Sequence, residues 1–176
     1  MPKYCVIALA VLCLSFAVAA QDAPRMAAVQ NPFFAMDTGT RDAAHESLEA
    51  QATLAGELGY AGIGFTGTAD TPAMAAAAKA ARIAVTTLYN TVDIATPGLP
   101  EGFEAAIAGL KGQGTILWLS LTAKGMKNSA PEGDALAVAL LQRIADRAAE
   151  AGLSVAIYPH VNTWLERVED AVRVAK

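Results

Sequence analysis

Residues 134–158, DALAVALLQRIADRAAEAGLSVAIY, carry two periodicities joined at a glycine. Ala137, Leu140, Leu141, Ile144, Ala145 and Ala148 recur at the three- and four-residue spacing of one helix face, while Gln142, Arg143, Asp146, Arg147 and Glu150 occupy the other. Gly152 sits where a helix C-cap needs left-handed backbone, and Leu153 to Tyr158 then runs as a short apolar strand. The stretch predicts an amphipathic helix feeding directly into a buried strand.

The same unit recurs upstream. Ala43 to Leu58 leads through Gly59 into Tyr60 to Phe65, Thr71 to Ala81 into Ile83 to Tyr89, and Phe103 to Lys111 through Gly112 and Gly114 into Thr115 to Leu121. A first strand, Pro32 to Met36, precedes them all. A last helix, Thr163 to Lys176, follows, with Trp164, Leu165, Val168, Ala171, Val172 and Ala175 on one stripe. The strands read as continuous apolar runs, Ile116-Leu117-Trp118-Leu119 and Val155-Ala156-Ile157, the pattern of strands buried on both faces of a parallel sheet. Helical connections between successive strands impose right-handed crossovers and leave an eightfold barrel or a doubly wound sheet. Each unit takes roughly 30 residues, and an eight-unit barrel about 250. Because the chain stops inside an amphipathic stripe, we expect a parallel (β/α) barrel of TIM type with about five of its eight units present, a truncated form.

The chain has 176 residues, 54% hydrophobic and 17% charged, with net charge −4. That composition excludes a disordered chain, and the acidic balance, with no basic stripe, excludes a phosphate-tracking nucleic-acid binder. Met1 to Ala20 reads as a secretory leader: Lys3, an apolar run from Cys5 to Val18, then small residues. Cleavage is expected near Ala19 or Ala20, giving an exported protein, periplasmic or extracellular, with a linker at 21–30 and the barrel domain at 31–176. The apolar run is too short for a spanning helix, so no stable membrane insertion is expected. Both cysteines, Cys5 and Cys13, leave with the leader, so neither a disulfide nor a thiolate is available to the exported chain.

Three stretches carry a family resemblance: Leu58-Gly59-Tyr60-Ala61-Gly62-Ile63, Ala151-Gly152-Leu153-Ser154-Val155-Ala156-Ile157-Tyr158-Pro159-His160, and Trp164-Leu165-Glu166-Arg167-Val168-Glu169-Asp170-Ala171. The chain from about residue 31 to 176 resembles the xylose isomerase-like TIM barrels, which include sugar phosphate isomerases and epimerases. The strand ending in Pro-His before an acid-rich helix is the most specific part. The resemblance implies a sugar or sugar phosphate as partner, a divalent metal at the C-terminal mouth, and acid/base groups moving a proton beside a sugar carbonyl. Two positions depart from it. Gly64 stands where members often carry Glu, and Tyr158 stands in place of the metal-binding Glu before Pro-His. The residues present therefore support no metal site of their own.

Active sites of such barrels gather at the strand ends. The catalytic candidates are His160, Tyr158 as a phenolic donor or sugar ligand, and Asp37, which ends the first strand. The substrate-binding candidates are Asn90 at the end of the third strand, Lys124 after the fourth as a phosphate contact, and Asn162. Each has a plain structural reading as well: His160 as a loop cap, Tyr158 as core rim, Asp37 and Asp93 as turn formers, Lys124 as a solvated lysine and Asn162 as a helix start. Gly62-Ile63-Gly64-Phe65-Thr66-Gly67 matches the dinucleotide glycine pattern, but its first glycines fall inside a strand and no acidic partner follows about 20 residues on. Two functions fit: an isomerase or epimerase in the complete form, or a sugar-binding or structural barrel without catalysis. The open edges of five strands are expected to self-associate.

Overall fold

The computed structural model describes residues 32–176; the expected leader and the whole of the expected linker, 21–30, lie outside the described residues. Five strands form one sheet: β1 (Phe34–Met36), β2 (Gly62–Thr66), β3 (Ala84–Asp93), β4 (Ile116–Thr122) and β5 (Ser154–Ile157). They alternate with helices α1 (Leu48–Glu57), α2 (Thr71–Ala80), α3 (Phe103–Leu110) and α4 (Asp134–Glu150), and α5 (Val168–Val174) follows β5. All neighbours are parallel and their spatial order is that of the chain, β1-β2-β3-β4-β5. A doubly wound sheet would reverse its order at a switch point. This one does not, so the winding is that of a barrel.

Local chemistry sets the element ends. Gly59 and Gly152, after α1 and α4, have φ of 80° and 72°, the left-handed backbone that ends a helix without strain. Pro72 lies in the first turn of α2, where its missing N–H costs no hydrogen bond. The helix expected from Ala43 begins instead at Leu48. Asp42 accepts from the N–H groups of Ala44 and His45 at 2.8 and 2.9 Å, closing a turn that diverts the backbone. Ser47 then caps α1 by accepting from the Ala50 N–H at 3.1 Å.

On α4, Ala137, Leu140, Leu141, Ile144 and Ala148 are buried as expected, whereas Ala145 is exposed. With Met74, Phe103, Ile107 and Leu110 they pack onto Ile63, Val85, Leu88, Leu117, Leu119 and Leu121 to make the core. That core lies between the helices and one face of the sheet. The other face is concave and open, so the continuous apolar runs are not buried on both sides: Ile116 is 40% exposed.

The last helix is shorter than its stripe predicts. Residues 161–167 form a loop that folds back on β4, with the Leu165 N–H donating to Leu121 O at 3.1 Å and the His160 N–H to Leu165 O at 3.1 Å. Trp164 and Leu165 are buried within it, and the Trp164 indole N–H donates to Ala130 O at 3.0 Å. The loop satisfies its own polar groups, through Thr163 Oγ1 donating to His160 O among others, and so buries the large indole without a helix. Among the described residues no helix is long and apolar enough to cross a membrane.

Candidate functional site

The concave face holds a cleft of about 680 Å³ that includes the C-terminal strand ends. Its lining alternates along each strand: Phe34 and Met36 from β1, Thr66 from β2, Thr87 and Tyr89 from β3, Ile116 and Trp118 from β4. Ala156 belongs to β5, and Tyr158 and His160 follow it. The volume lies within the usual range of ligand pockets, about 300–1,000 Å³.

Four rings make one wall of the cleft. Trp118 and Tyr158 lie 4.3 Å apart, centroid to centroid, tilted by 38°. Tyr89 stands edge-on to both at 5.8 Å, and His160 stands edge-on to Tyr158 at 5.5 Å. The parallel register produces the group directly, because Tyr89 pairs with Trp118 and Trp118 with Ala156, two residues before Tyr158. His160 Nδ1 is 2.8 Å from Val161 O, and since a carbonyl only accepts, Nδ1 carries the proton and Nε2 is left as the basic nitrogen.

Of the six candidate residues, His160 and Tyr158 line the cleft. Asp37 lies at the end of β1 but is fully buried as a clamp. Its carboxylate accepts from Thr66 Oγ1 at 2.9 Å, from the Thr66 N–H at 3.2 Å, and from Arg41. Asn90 is not a strand end: β3 continues to Asp93, and Asn90 pairs with the buried Leu119, which puts it on the helix-facing side of the sheet. Lys124 is exposed and outside the cleft, and its backbone N–H donates to Asp93 Oδ2 at 3.1 Å. That bond, with the Ala95 N–H at 2.8 Å, makes Asp93 a turn former. Asn162 is exposed in the loop after His160, with φ of 66°. It starts no helix, and its N–H donates to Glu166 Oε1 at 3.1 Å. His45 precedes α1, with its ring against Asp42 at 2.8 Å.

Sequence reading missed Trp118, Thr66, Thr87 and Met36 as cleft residues. Counting alternate positions along Ile116 to Leu121 would have separated Trp118 from Leu117 and Leu119. Thr87 needed the structure, because a bulge shifts the register between Ile63 and Gly64.

The residues present do not fit the divalent metal that the resemblance implies. Among the described residues no three His, Cys, Asp or Glu side chains come together as a metal would require. At Gly64 an added Cβ would lie 2.6 Å from both Met36 Sδ and Thr87 Oγ1, so the space for an acid is already filled. Tyr158 belongs to the aromatic wall, and Asp37 has both oxygens engaged.

No family model matches the sequence, and no curated protein sequence matches it. Solved structures do. The chain is similar to 3-keto-D-glucoside 4-epimerase of E. coli, with a TM-score of 0.57 and 16% identity over 82% of this chain and 63% of that one. It is similar to a sugar phosphate isomerase/epimerase of Parabacteroides distasonis, with a TM-score of 0.50 and 10% identity over 77% and 52%. It is also similar to a probable 3-DHS dehydratase of Bacillus anthracis involved in petrobactin synthesis, with a TM-score of 0.52 and 16% identity over 82% and 58%. The structural likeness to sugar isomerase and epimerase barrels is thus shown over about four fifths of the chain, and at these identities it is a likeness of fold. The chain spans 52–63% of the length of the structures it matches. The dehydratase among them illustrates that one such fold serves more than one reaction.

Proposed function

We propose that the cleft binds a sugar, and that in the complete form of the barrel it serves isomerase- or epimerase-type chemistry, proton transfer beside a sugar carbonyl. The observation that carries this reading is the aromatic cleft that reaches the C-terminal strand ends, with a basic imidazole nitrogen at its edge. In that chemistry His160 Nε2 takes the proton from the carbon next to the carbonyl, and Tyr158 donates its phenolic hydrogen bond to the carbonyl oxygen as charge develops there. Return of the proton to the former carbonyl carbon, with the hydroxyl proton passing to the former carbonyl oxygen, interconverts aldose and ketose; inversion instead needs a proton delivered to the opposite face of the first carbon by a donor other than His160, such as water.

A second reading, a barrel that binds sugar without turnover, is favoured by Gly64 and Tyr158 at positions where the resemblance expects acids. Incubation of the purified protein with pentoses and hexoses, followed by chromatographic separation of epimers and ketoses, separates the two. Interconversion lost in His160→Gln supports catalysis; saturable binding by calorimetry without interconversion supports the binding barrel. Neither signal would overturn both. The leader supports action outside the cytoplasm, and N-terminal sequencing of exported material is expected to find a start near Gln21.

A further inference from the structure

We propose that the cleft seats the C–H face of an uncharged pyranose directly on the Trp118–Tyr158 wall, using neither a divalent metal nor a phosphate anchor. This rests on the sugar-binding reading above and specifies the kind of sugar.

The wall supplies the first argument. A pyranose with equatorial hydroxyls presents axial C–H groups on both faces, and these polarised hydrogens are attracted to the electron-rich faces of aromatic rings. Trp118 and Tyr158, 4.3 Å apart and tilted by 38°, pack largely face to face, so each covers one face of the other and only the outer faces are left for a sugar ring, while Tyr89 buttresses both edge-on.

Charge supplies the second. No Lys, Arg, Asp or Glu is among the cleft-lining residues described. Arg41, near the β1 end, is held by Asp37. A phosphate placed against this wall would lose hydration without gaining a counter-charge. Three cations, Lys79, Arg82 and Lys111, share a separate groove of about 560 Å³ with Ala84, at the start of β3, and so lie apart from the aromatic wall.

Hydroxyl chemistry supplies the third. Thr87 Oγ1 is buried with no hydrogen-bond partner in the chain, beside Met36 Sδ in the space over Gly64. An unpartnered buried hydroxyl is costly, and a sugar hydroxyl that reaches Thr87 Oγ1 from the cleft supplies the partner the chain does not. Thr66 Oγ1 donates its proton to Asp37, so toward the cleft it can only accept, which suits a sugar O–H donor. Gly64 is small because Met36 and Thr87 fill its surroundings, the same fact that leaves no room for a metal-binding acid there.

The test is calorimetry on the full chain with methyl β-D-glucopyranoside, methyl β-D-xylopyranoside and glucose 6-phosphate, first in EDTA and then in Mn²⁺. Saturable binding of a neutral glycoside in EDTA, unchanged within twofold by Mn²⁺ and at least fivefold tighter than the phosphate ester, is expected. Trp118→Ala is expected to weaken it at least tenfold while Trp118→Phe stays within threefold, with circular dichroism confirming that both variants fold. Binding only in Mn²⁺, tighter binding of the phosphate ester, or indifference to Trp118→Ala would overturn the proposal and leave the sugar cleft standing. Absence of binding by every sugar, with and without Mn²⁺, would overturn the sugar-binding reading as well.

Discussion

Leu117, Leu119 and Leu121 of β4 are fully buried beneath the helices, whereas Trp118 on the opposite face is only part-buried and Ile116 is 40% exposed to the cleft. Both sets are large and apolar, and they alternate in one seven-residue strand. On the helix side each leucine is surrounded by close-packed side chains, so its burial contributes to folding. On the cleft side the rings keep a face open, so part of their apolar surface is available to a ligand. One strand thus buries Leu117, Leu119 and Leu121 in the core and lines the cleft with Ile116 and Trp118.

Truncating adjacent residues of β4 separates the two faces. Leu119→Ala is expected to cost about 2–5 kcal/mol in chemical denaturation, the range for a fully buried leucine, with sugar binding retained where the protein is folded. Trp118→Ala removes more atoms, yet from a half-open site, and is expected to cost about 1 kcal/mol. Equal losses at the two positions would show that the cleft face is core.

A polar cluster on the helix side gives an intermediate effect. Asp170, buried at the first turn of α5, accepts from Ser129, from the Arg167 N–H at 3.0 Å and from Arg173 at 2.7 Å, and Arg173 also reaches Asp134 at 2.8 Å. Burial pushes the Asp170 carboxyl up, but the hydrogen bonds from Ser129, Arg173 and the Arg167 backbone together outweigh it and hold the group below the ordinary carboxylate range. A depressed folded value stabilises the chain above the unfolded value, near about pH 4, and this stability is lost as pH falls toward the folded value. Asp170→Asn is expected to cost about 1–2 kcal/mol at neutral pH and to flatten the decline of the melting temperature below about pH 5. A parallel decline in both proteins would remove Asp170 from the acid response.

The smallest effect belongs to Arg147, which joins Glu104 of α3 at 2.8 Å and Glu150 of α4 across solvent-exposed surface. Salt screens such pairs, and the long side chains lose entropy in forming them. Arg147→Gln is expected to leave the melting temperature within error and sugar binding unchanged; a clear loss in either would mean that the helix surface is coupled to the site.

The helix-strand alternation, the glycine at the end of α4 and the five parallel strands were legible in the sequence, because periodicity and helix capping are local properties of a chain. His160 and Tyr158 were legible as cleft residues for a similar reason: a strand end can be counted. The remaining assignments depended on pairing. Asn90 left the mouth because β3 runs on beside β4, Asp37 became a clamp because Thr66 and Arg41 converge on it, and Trp164 left its helical stripe because the loop after His160 bonds back to Leu121. The order and kind of the elements follow from the amino-acid sequence alone, since hydrophobic period and backbone preference act over a few residues. Which side chains share the cleft depends on the packed sheet, because strand register and bulges set where each side chain points and are settled between segments far apart in the chain.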